Sequence, residues 1–190
     1  MEPLLSRAAL AERAASLGVA IGRDYQDSPR PPILVGVLKG STFFLADLVR
    51  AMPIDVAVDF MSISTYAEMG GASGVVRIVK DLEEQVAGRD VVLVEDIVDT
   101  GLTLTYLRKQ ILGRAPRSLR TVTLLDKSAR RIVPVPVEYT GFEIGDAFVL
   151  GYGLDFHSIY RNLPDIYEVP DLPALVRDPA SLVPLLFATS

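Results

Sequence analysis

Val91-Val92-Leu93-Val94-Glu95-Asp96-Ile97-Val98-Asp99-Thr100-Gly101-Leu102-Thr103-Leu104 is the stretch that decides how this 190-residue chain reads. Its four leading apolar residues have the unbroken hydrophobicity of a strand covered on both faces, as in a parallel sheet. Two adjacent carboxylates follow at the strand's carboxyl end, then a third in a short turn. After Thr-Gly-Leu-Thr comes a helical pattern bearing Leu104, Leu107, Ile111 and Leu112. Ligands of open α/β sheets bind at the carboxyl ends of the strands. A helix beginning there offers unpaired N–H groups and partial positive charge to a phosphate. The carboxylates suit a divalent cation or sugar hydroxyls beside it.

Moving outward, residues 33–38 read as a second buried strand. The turn Lys39-Gly40-Ser41 and a helix over residues 42–52 follow it, making a βα unit. Residues 54–63 read as a strand with Val56, Val58 and Phe60 on one face, and residues 75–79 as a short strand. Between them lies a glycine-bearing loop, 64–74, of a length that in a compact domain usually marks a lid or a connector. Another strand is expected at residues 119–125. Short strands at 135–142, 148–150 and 166–169 look like a smaller subregion. At the front, residues 4–21 place Leu5, Ala8, Ala9, Ala15, Leu17 and Ile21 among charges, as an amphipathic helix does. Strands alternating with helices predict a mostly parallel, twisted α/β sheet flanked by helices. The expected organisation is one domain over 1–170, with its core at 30–130. A small accessory hood would come from the N-terminal segment and 135–170, leaving a tail at 171–190 without an assigned role.

Composition narrows the chemistry. The chain is 49% apolar and 23% charged, as ordinary globular proteins are. A net charge of -5 gives no global basic field to recruit nucleic acid, although Arg130-Arg131 forms a local basic pair. Without cysteine, thiolate catalysis and disulfides are excluded, and one histidine, His157, cannot build a multi-histidine centre. Any metal would therefore be a hard cation held by oxygen, Mg²⁺ beside phosphates being the natural choice. No apolar run approaches the roughly 20 residues of a membrane span, and no secretory leader is legible, so a cytoplasmic location is expected.

Two tempting patterns fail. In Gly36-Val37-Leu38-Lys39-Gly40-Ser41-Thr42 the lysine precedes the glycine, the reverse of an ATPase phosphate loop. Gly151-Tyr152-Gly153-Leu154-Asp155 lacks the third glycine of a dinucleotide fingerprint. Lys39 and Gly40 nevertheless sit at the same sheet edge as the acidic loop, where a lysine and free amides could hold pyrophosphate. Lys127 follows the 119–125 strand at that edge as well.

The acidic loop resembles the phosphoribosyl-pyrophosphate signature of the phosphoribosyltransferases. From Leu38-Lys39-Gly40 to Arg161 the chain is similar to the hypoxanthine and hypoxanthine-guanine members of that family. The further matching pieces are Ser64-Thr65-Tyr66, Leu124-Leu125-Asp126-Lys127, and Gly141-Phe142-Glu143-Ile144 continuing through Phe148-Val149-Leu150-Gly151-Tyr152-Gly153-Leu154-Asp155. The resemblance implies a type I phosphoribosyltransferase fold and transfer of ribose 5-phosphate from phosphoribosyl pyrophosphate to N9 of a 6-oxopurine.

It also implies roles. Glu95 and Asp96 would meet the ribose hydroxyls and Mg²⁺, and Asp99 would be the acid or base at purine N7. Thr100, Gly101, Leu102 and Thr103 would hold the 5′-phosphate. Lys39, Gly40 and Arg161 would contact pyrophosphate, the turn at Lys39 and Gly40 carrying a cis peptide. Lys127 would donate to O6, Phe148 would stack on the base and Val149 would meet it through the backbone. Asp155 would serve a second Mg²⁺, while Ser64 and Tyr66 would belong to a lid. A homodimer or homotetramer is expected. Ser41 and Leu102 depart from residues common in such relatives. A different class remains open: a non-catalytic nucleotide sensor on the same fold that binds RNA or DNA.

Overall fold

The computed structural model describes residues 1–66 and 75–187. In chain order, α1 (Arg7–Tyr25) leads into β1 (Ile33–Leu38), α2 (Thr42–Ala51), β2 (Ala57–Tyr66) and β3 (Val75–Lys80). Then come β4 (Asp90–Val98), α3 (Leu102–Leu112), β5 (Ser118–Asp126) and a single 3-10 turn, Ser128–Arg130. β6 (Tyr139–Glu143), β7 (Val149–Leu150), β8 (Tyr167–Glu168), α4 (Leu172–Arg177) and α5 (Val183–Leu186) complete it. One six-stranded sheet runs in the order β3-β2-β1-β4-β5-β6. All its pairings are parallel except β2 with β3, so the carboxyl ends of β1, β2, β4 and β5 share one edge.

The continuous apolar run of β4 has a direct cause. Successive side chains of a strand point to opposite faces. Val92 and Val94 face α1 and α2, among Leu10, Leu17, Ile21, Phe44 and Leu48. Val91 and Leu93 face α3, among Leu104, Leu107 and Ile111. Both faces are dry, so neither can be polar. Burial of a Leu or Val side chain contributes roughly 1.5–3 kcal/mol, and the buried residues gathered on both faces make this layer the centre of stability.

Several expectations shift. The helix at the front starts at Arg7, where the Ser6 hydroxyl accepts from Ala9 N–H, and its buried stripe is Leu10, Ala14, Leu17, Ile21 and Tyr25. Ala8 and Ala15, expected on the apolar face, are exposed because they lie off that line. Leu112 is 54% exposed for the same reason: it stands one position past Ile111, a rotation of about 100°. Of the face expected to carry Val56, Val58 and Phe60, Val56 and Phe60 pack partly buried against the core but Val58 is exposed, and Asp59 and Met61 opposite are buried.

Residues expected at 135–142 as part of a separate hood instead supply β6, which begins at Tyr139 and joins the main sheet beside β5. Pro134 and Pro136 lack the N–H a ladder needs and delay the strand, which suits an edge position. β7 and β8 do form their own antiparallel pair, and Leu5 bridges Ile166 beside it. Residues 67–74, the lid expected between β2 and β3, lie outside the described residues. Among the described residues no helix is long and apolar enough to cross a membrane.

Candidate active site

β4 ends in the loop that opens α3, and the loop's conformation is built on Gly101. This residue caps α3 with φ 84°, in the left-handed region that side chains avoid. A Cβ there would also lie 2.7 Å from Val133 O and 2.9 Å from Arg131 Cδ, so close approach and dihedral both demand glycine. The segment after β5 clamps this loop. Ile132 and Val133 N–H donate to Thr100 O at 3.0 and 3.2 Å. Arg131 donates to Asp99 O at 2.9 Å and also pairs with Asp126. Residues 95–101, Thr103 and Leu104 thereby line a cavity of about 200 Å³ at the head of α3. Leu102, at 52% exposure, turns its side chain outward and could contribute only its backbone.

A second cavity of about 280 Å³ adjoins the first. Lys127, Phe148, Val149, Leu154 and Asp155 line it together with Asp96, Ile97 and Asp99. Asp96 and Asp99 thus border both spaces. Lys127 is buried just past β5, and its backbone N–H donates to Val98 O at 2.9 Å. Phe148 meets Phe156 edge to face, with centroids 5.9 Å apart, which fixes its ring at the cavity wall.

The turn after β1 closes on the same place. The Leu38–Lys39 peptide is cis, and Lys39 is exposed, with its carbonyl accepting from the Thr42 hydroxyl at 2.7 Å. Gly40 lies flat against Asp96: a Cβ on it would collide with the Asp96 carboxylate. Gly153, at φ 101°, lies equally flat on Gly40 O. Tyr152, beside it, donates to Asp47 Oδ2 on α2 at 2.6 Å, tying this loop to the helix that follows the turn. Arg161 donates to Gly153 O at 2.6 Å and pairs with Asp155 Oδ1 at 2.8 Å. Three loops from distant parts of the chain therefore nest around Asp96. Ser64 and Tyr66 end β2 at the same sheet edge.

Electrostatics follow from that nesting. Burial pushes the Glu95 carboxyl well above its ordinary value, and the adjacent Asp96 adds to the shift. Burial likewise pushes Asp96 up to about 6, opposed by the Ile97 N–H that donates to it at 2.8 Å and by Arg161. Two acids held partly desolvated side by side are an arrangement that a cation or hydroxyl donors would relieve.

The donor set is all oxygen, as a hard cation requires. Among the described residues, however, no three carboxylates converge as a ready cage, and Asp155 already engages Arg161 and, at 2.7 Å, the Ser158 N–H. That fits Mg²⁺, which commonly takes one or two carboxylates and completes its shell with water and substrate phosphates.

Sequence reading gave no site role to several residues found there, Val98 and Leu104 of the first cavity among them. Ile97 and Leu154 line the second cavity as apolar residues indistinguishable from core. Arg130 and Arg131 stood out only as a basic pair, yet Arg130 Nε lies 2.9 Å from Asp99 Oδ1 and Arg131 holds the Asp99 carbonyl. The charge doublet was a legible signal. Its target was not.

With this geometry in hand, the comparisons with known proteins are specific. The phosphoribosyl transferase domain family matches residues 6–157. The chain is 46% identical over 169 residues to the hypoxanthine phosphoribosyltransferase of Escherichia coli (strain K12), covering 89% of this chain and 95% of that protein. To the hypoxanthine-guanine phosphoribosyltransferase of Dictyostelium discoideum it is 44% identical over 173 residues, 90% and 96% of the two chains. The crystal structure of a hypoxanthine-guanine phosphoribosyltransferase from Bacillus anthracis superposes with a TM-score of 0.83 at 41% identity, covering 89% of this chain and 98% of that one. Sequence, fold and the acid-lined cleft at the head of α3 agree, and the chain belongs to the hypoxanthine and hypoxanthine-guanine phosphoribosyltransferase family of enzymes.

Proposed function

We propose that this protein salvages purines by transferring the 5-phosphoribosyl group of phosphoribosyl pyrophosphate to N9 of hypoxanthine, guanine or both. The observation that carries the reading is the pair of joined cavities with Asp96 and Asp99 on their common border. One space ends at helix N–H groups and suits a phosphate; the other offers an aromatic wall and a buried lysine and suits a base.

In the reaction, N9 bonds to the anomeric carbon as the bond from that carbon to pyrophosphate oxygen breaks. Pyrophosphate leaves with the electron pair. The amides at residues 100–103 and the Thr100 and Thr103 hydroxyls hold the 5′-phosphate and so fix the sugar. Glu95 and Asp96 accept from the ribose hydroxyls, and their charge favours the positive character that develops on the ring. Asp99 takes the proton that purine N7 loses as N9 bonds to the sugar, and returns it in the reverse direction. Lys127 donates to O6, a bond the 6-amino group of adenine cannot accept, which supports selection of oxopurines. Phe148 stacks on the base and the Val149 backbone borders it. Lys39, Gly40 and Arg161 receive the pyrophosphate. Ser64 and Tyr66 would belong to a lid that keeps water from the reaction. Glu95 and Asp96 would hold one Mg²⁺ and Asp155 a second, and these ions would offset pyrophosphate charge. Assembly as a dimer or tetramer and a cytoplasmic location belong to the same reading.

The test is direct. Hypoxanthine, guanine, xanthine and adenine are each incubated with phosphoribosyl pyrophosphate and Mg²⁺, and nucleotide is quantified. Inosine or guanosine monophosphate is expected; absence of product with every purine would overturn the proposal. Sedimentation of the same preparation reads the oligomer.

A further inference from the structure

The tail beyond β8, to which the sequence assigns no role, packs on the loop that carries Arg161. We infer that residues 171–187 act as a brace, and that Tyr160 is the positioning residue through which the brace holds Arg161 and the Phe148 wall. The inference rests on the assignment of Arg161 to pyrophosphate and Phe148 to the base.

Tyr160 is 1% exposed and adopts φ 78°, a region that a bulky side chain enters only where its surroundings hold it. The tail supplies much of what holds it. Its hydroxyl donates to Pro179 O at 2.7 Å and accepts from Leu182 N–H at 3.3 Å. Its ring stacks on Phe187, with centroids 6.4 Å apart and planes at 20°. Leu175, at 1% exposure, completes a small core with Leu150, Tyr160, Leu163 and Val169, and Leu182, Val183 and Leu186 pack against it. Phe148, which lines the second cavity, and Phe156 pack against this same core.

The loop is cross-linked internally, Gly151 with Leu154 and Phe156 with Ile159 by paired backbone hydrogen bonds, and its backbone is strained. Gly151, Tyr152, Gly153, His157, Ser158 and Tyr160 all have positive φ, so much of 151–160 lies outside the ordinary backbone wells. Arg161 follows Tyr160 directly and bonds back across the loop to Gly153 and Asp155. A displacement of Tyr160 is therefore passed to Arg161 and, through Gly153, to the Gly40 turn.

The experiment compares the full chain with Tyr160→Phe, which keeps the ring and removes both hydroxyl bonds, with a chain ending at Pro170, and with Arg161→Gln. In Tyr160→Phe, KM for phosphoribosyl pyrophosphate should rise roughly threefold to tenfold, the factor of a lost hydrogen bond, with kcat within about twofold. Combining Tyr160→Phe with Arg161→Gln should add little to Arg161→Gln alone. Amide hydrogen exchange over 151–163 should quicken in Tyr160→Phe and in the shortened chain. A merely structural tyrosine would lower the melting temperature and the active fraction, hence kcat, with KM unmoved, and that result overturns the inference. Unchanged exchange over 151–163 in Tyr160→Phe overturns it whatever the activity. Faster exchange in a full-length background that makes no nucleotide would instead sink the proposed function and leave the brace standing.

Discussion

Replacing Asp96 by Asn should stabilise the free protein at neutral pH while weakening its site. Asp96 is pushed up to about 6 from an ordinary 3.8, chiefly by burial. A carboxyl raised on folding stabilises the protein below its unfolded value, and that contribution is lost as pH rises through the folded one. Here the loss runs from about pH 4 to just above pH 6. The shift of about two pH units corresponds to at most about 3 kcal/mol. Because the carboxylate borders two open cavities, roughly half of that is a fair expectation. Asn is nearly isosteric, and its carbonyl can still accept from the Ile97 N–H.

For a chain of this size, ~1.5 kcal/mol raises the melting temperature by roughly 3–6 °C. Thermal unfolding of wild type and Asp96→Asn, followed by circular dichroism at pH 8 and pH 4.5, reads it. The advantage should be present at pH 8 and largely gone at pH 4.5, where the native carboxyl is already protonated. Calorimetric titration with phosphoribosyl pyrophosphate and Mg²⁺ should show weaker binding to the variant. Equal melting at pH 8, or an advantage that is as large at pH 4.5, would refute the claim that burial outweighs the Ile97 N–H and Arg161 at this carboxylate.

Other perturbations separate the roles of neighbouring groups. Asp99→Asn should slow turnover by roughly 10²-fold or more with substrate binding nearly retained, measured by steady-state kinetics; near-normal turnover would remove Asp99 from proton transfer. Lys127→Met should raise KM for the oxopurine by tenfold or more and narrow the gap between hypoxanthine and adenine, because the discriminating donor is gone. Gly153→Ala should cost roughly 1–3 kcal/mol in chemical denaturation and raise KM for phosphoribosyl pyrophosphate. Its Cβ would meet Gly40 O in a left-handed backbone. Unchanged stability in that variant would show that the two loops do not nest as described.

Much of the site could be read in one dimension because its parts are local. The order of strand, acids, Thr-Gly turn and helix occupies 14 consecutive residues, and each step follows from periodicity or turn chemistry. The same is true of β1 with its Lys39-Gly40 turn. Reading was poorer where placement depends on distant partners. Val56 and Phe60 pack partly buried on one core as a shared face would, yet Val58 between them is exposed and Asp59 and Met61 on the opposite face are the buried side chains. Asp59 is tolerated inside because Glu83 and Glu84 N–H each donate to it at 2.8 Å, bonds that come from 24 and 25 residues away. β6 reads with the short strands that follow it, because nothing local in 135–142 shows that it pairs with β5. It is an edge strand, covered on fewer sides.

Hydrophobic periodicity, the acids and the glycines by themselves determined a parallel α/β sheet with an anion-binding corner and an oxygen-only donor set. Only tertiary structure decided that Gly40, Asp96 and Gly153 meet, that Arg130 and Arg131 reach Asp99, and that the tail closes on Tyr160. Periodicity and turn chemistry act between residues a few positions apart and are written along the chain. Contacts between residues far apart in the chain arise only when a shared core draws separate segments together, and no local pattern records which ones will meet.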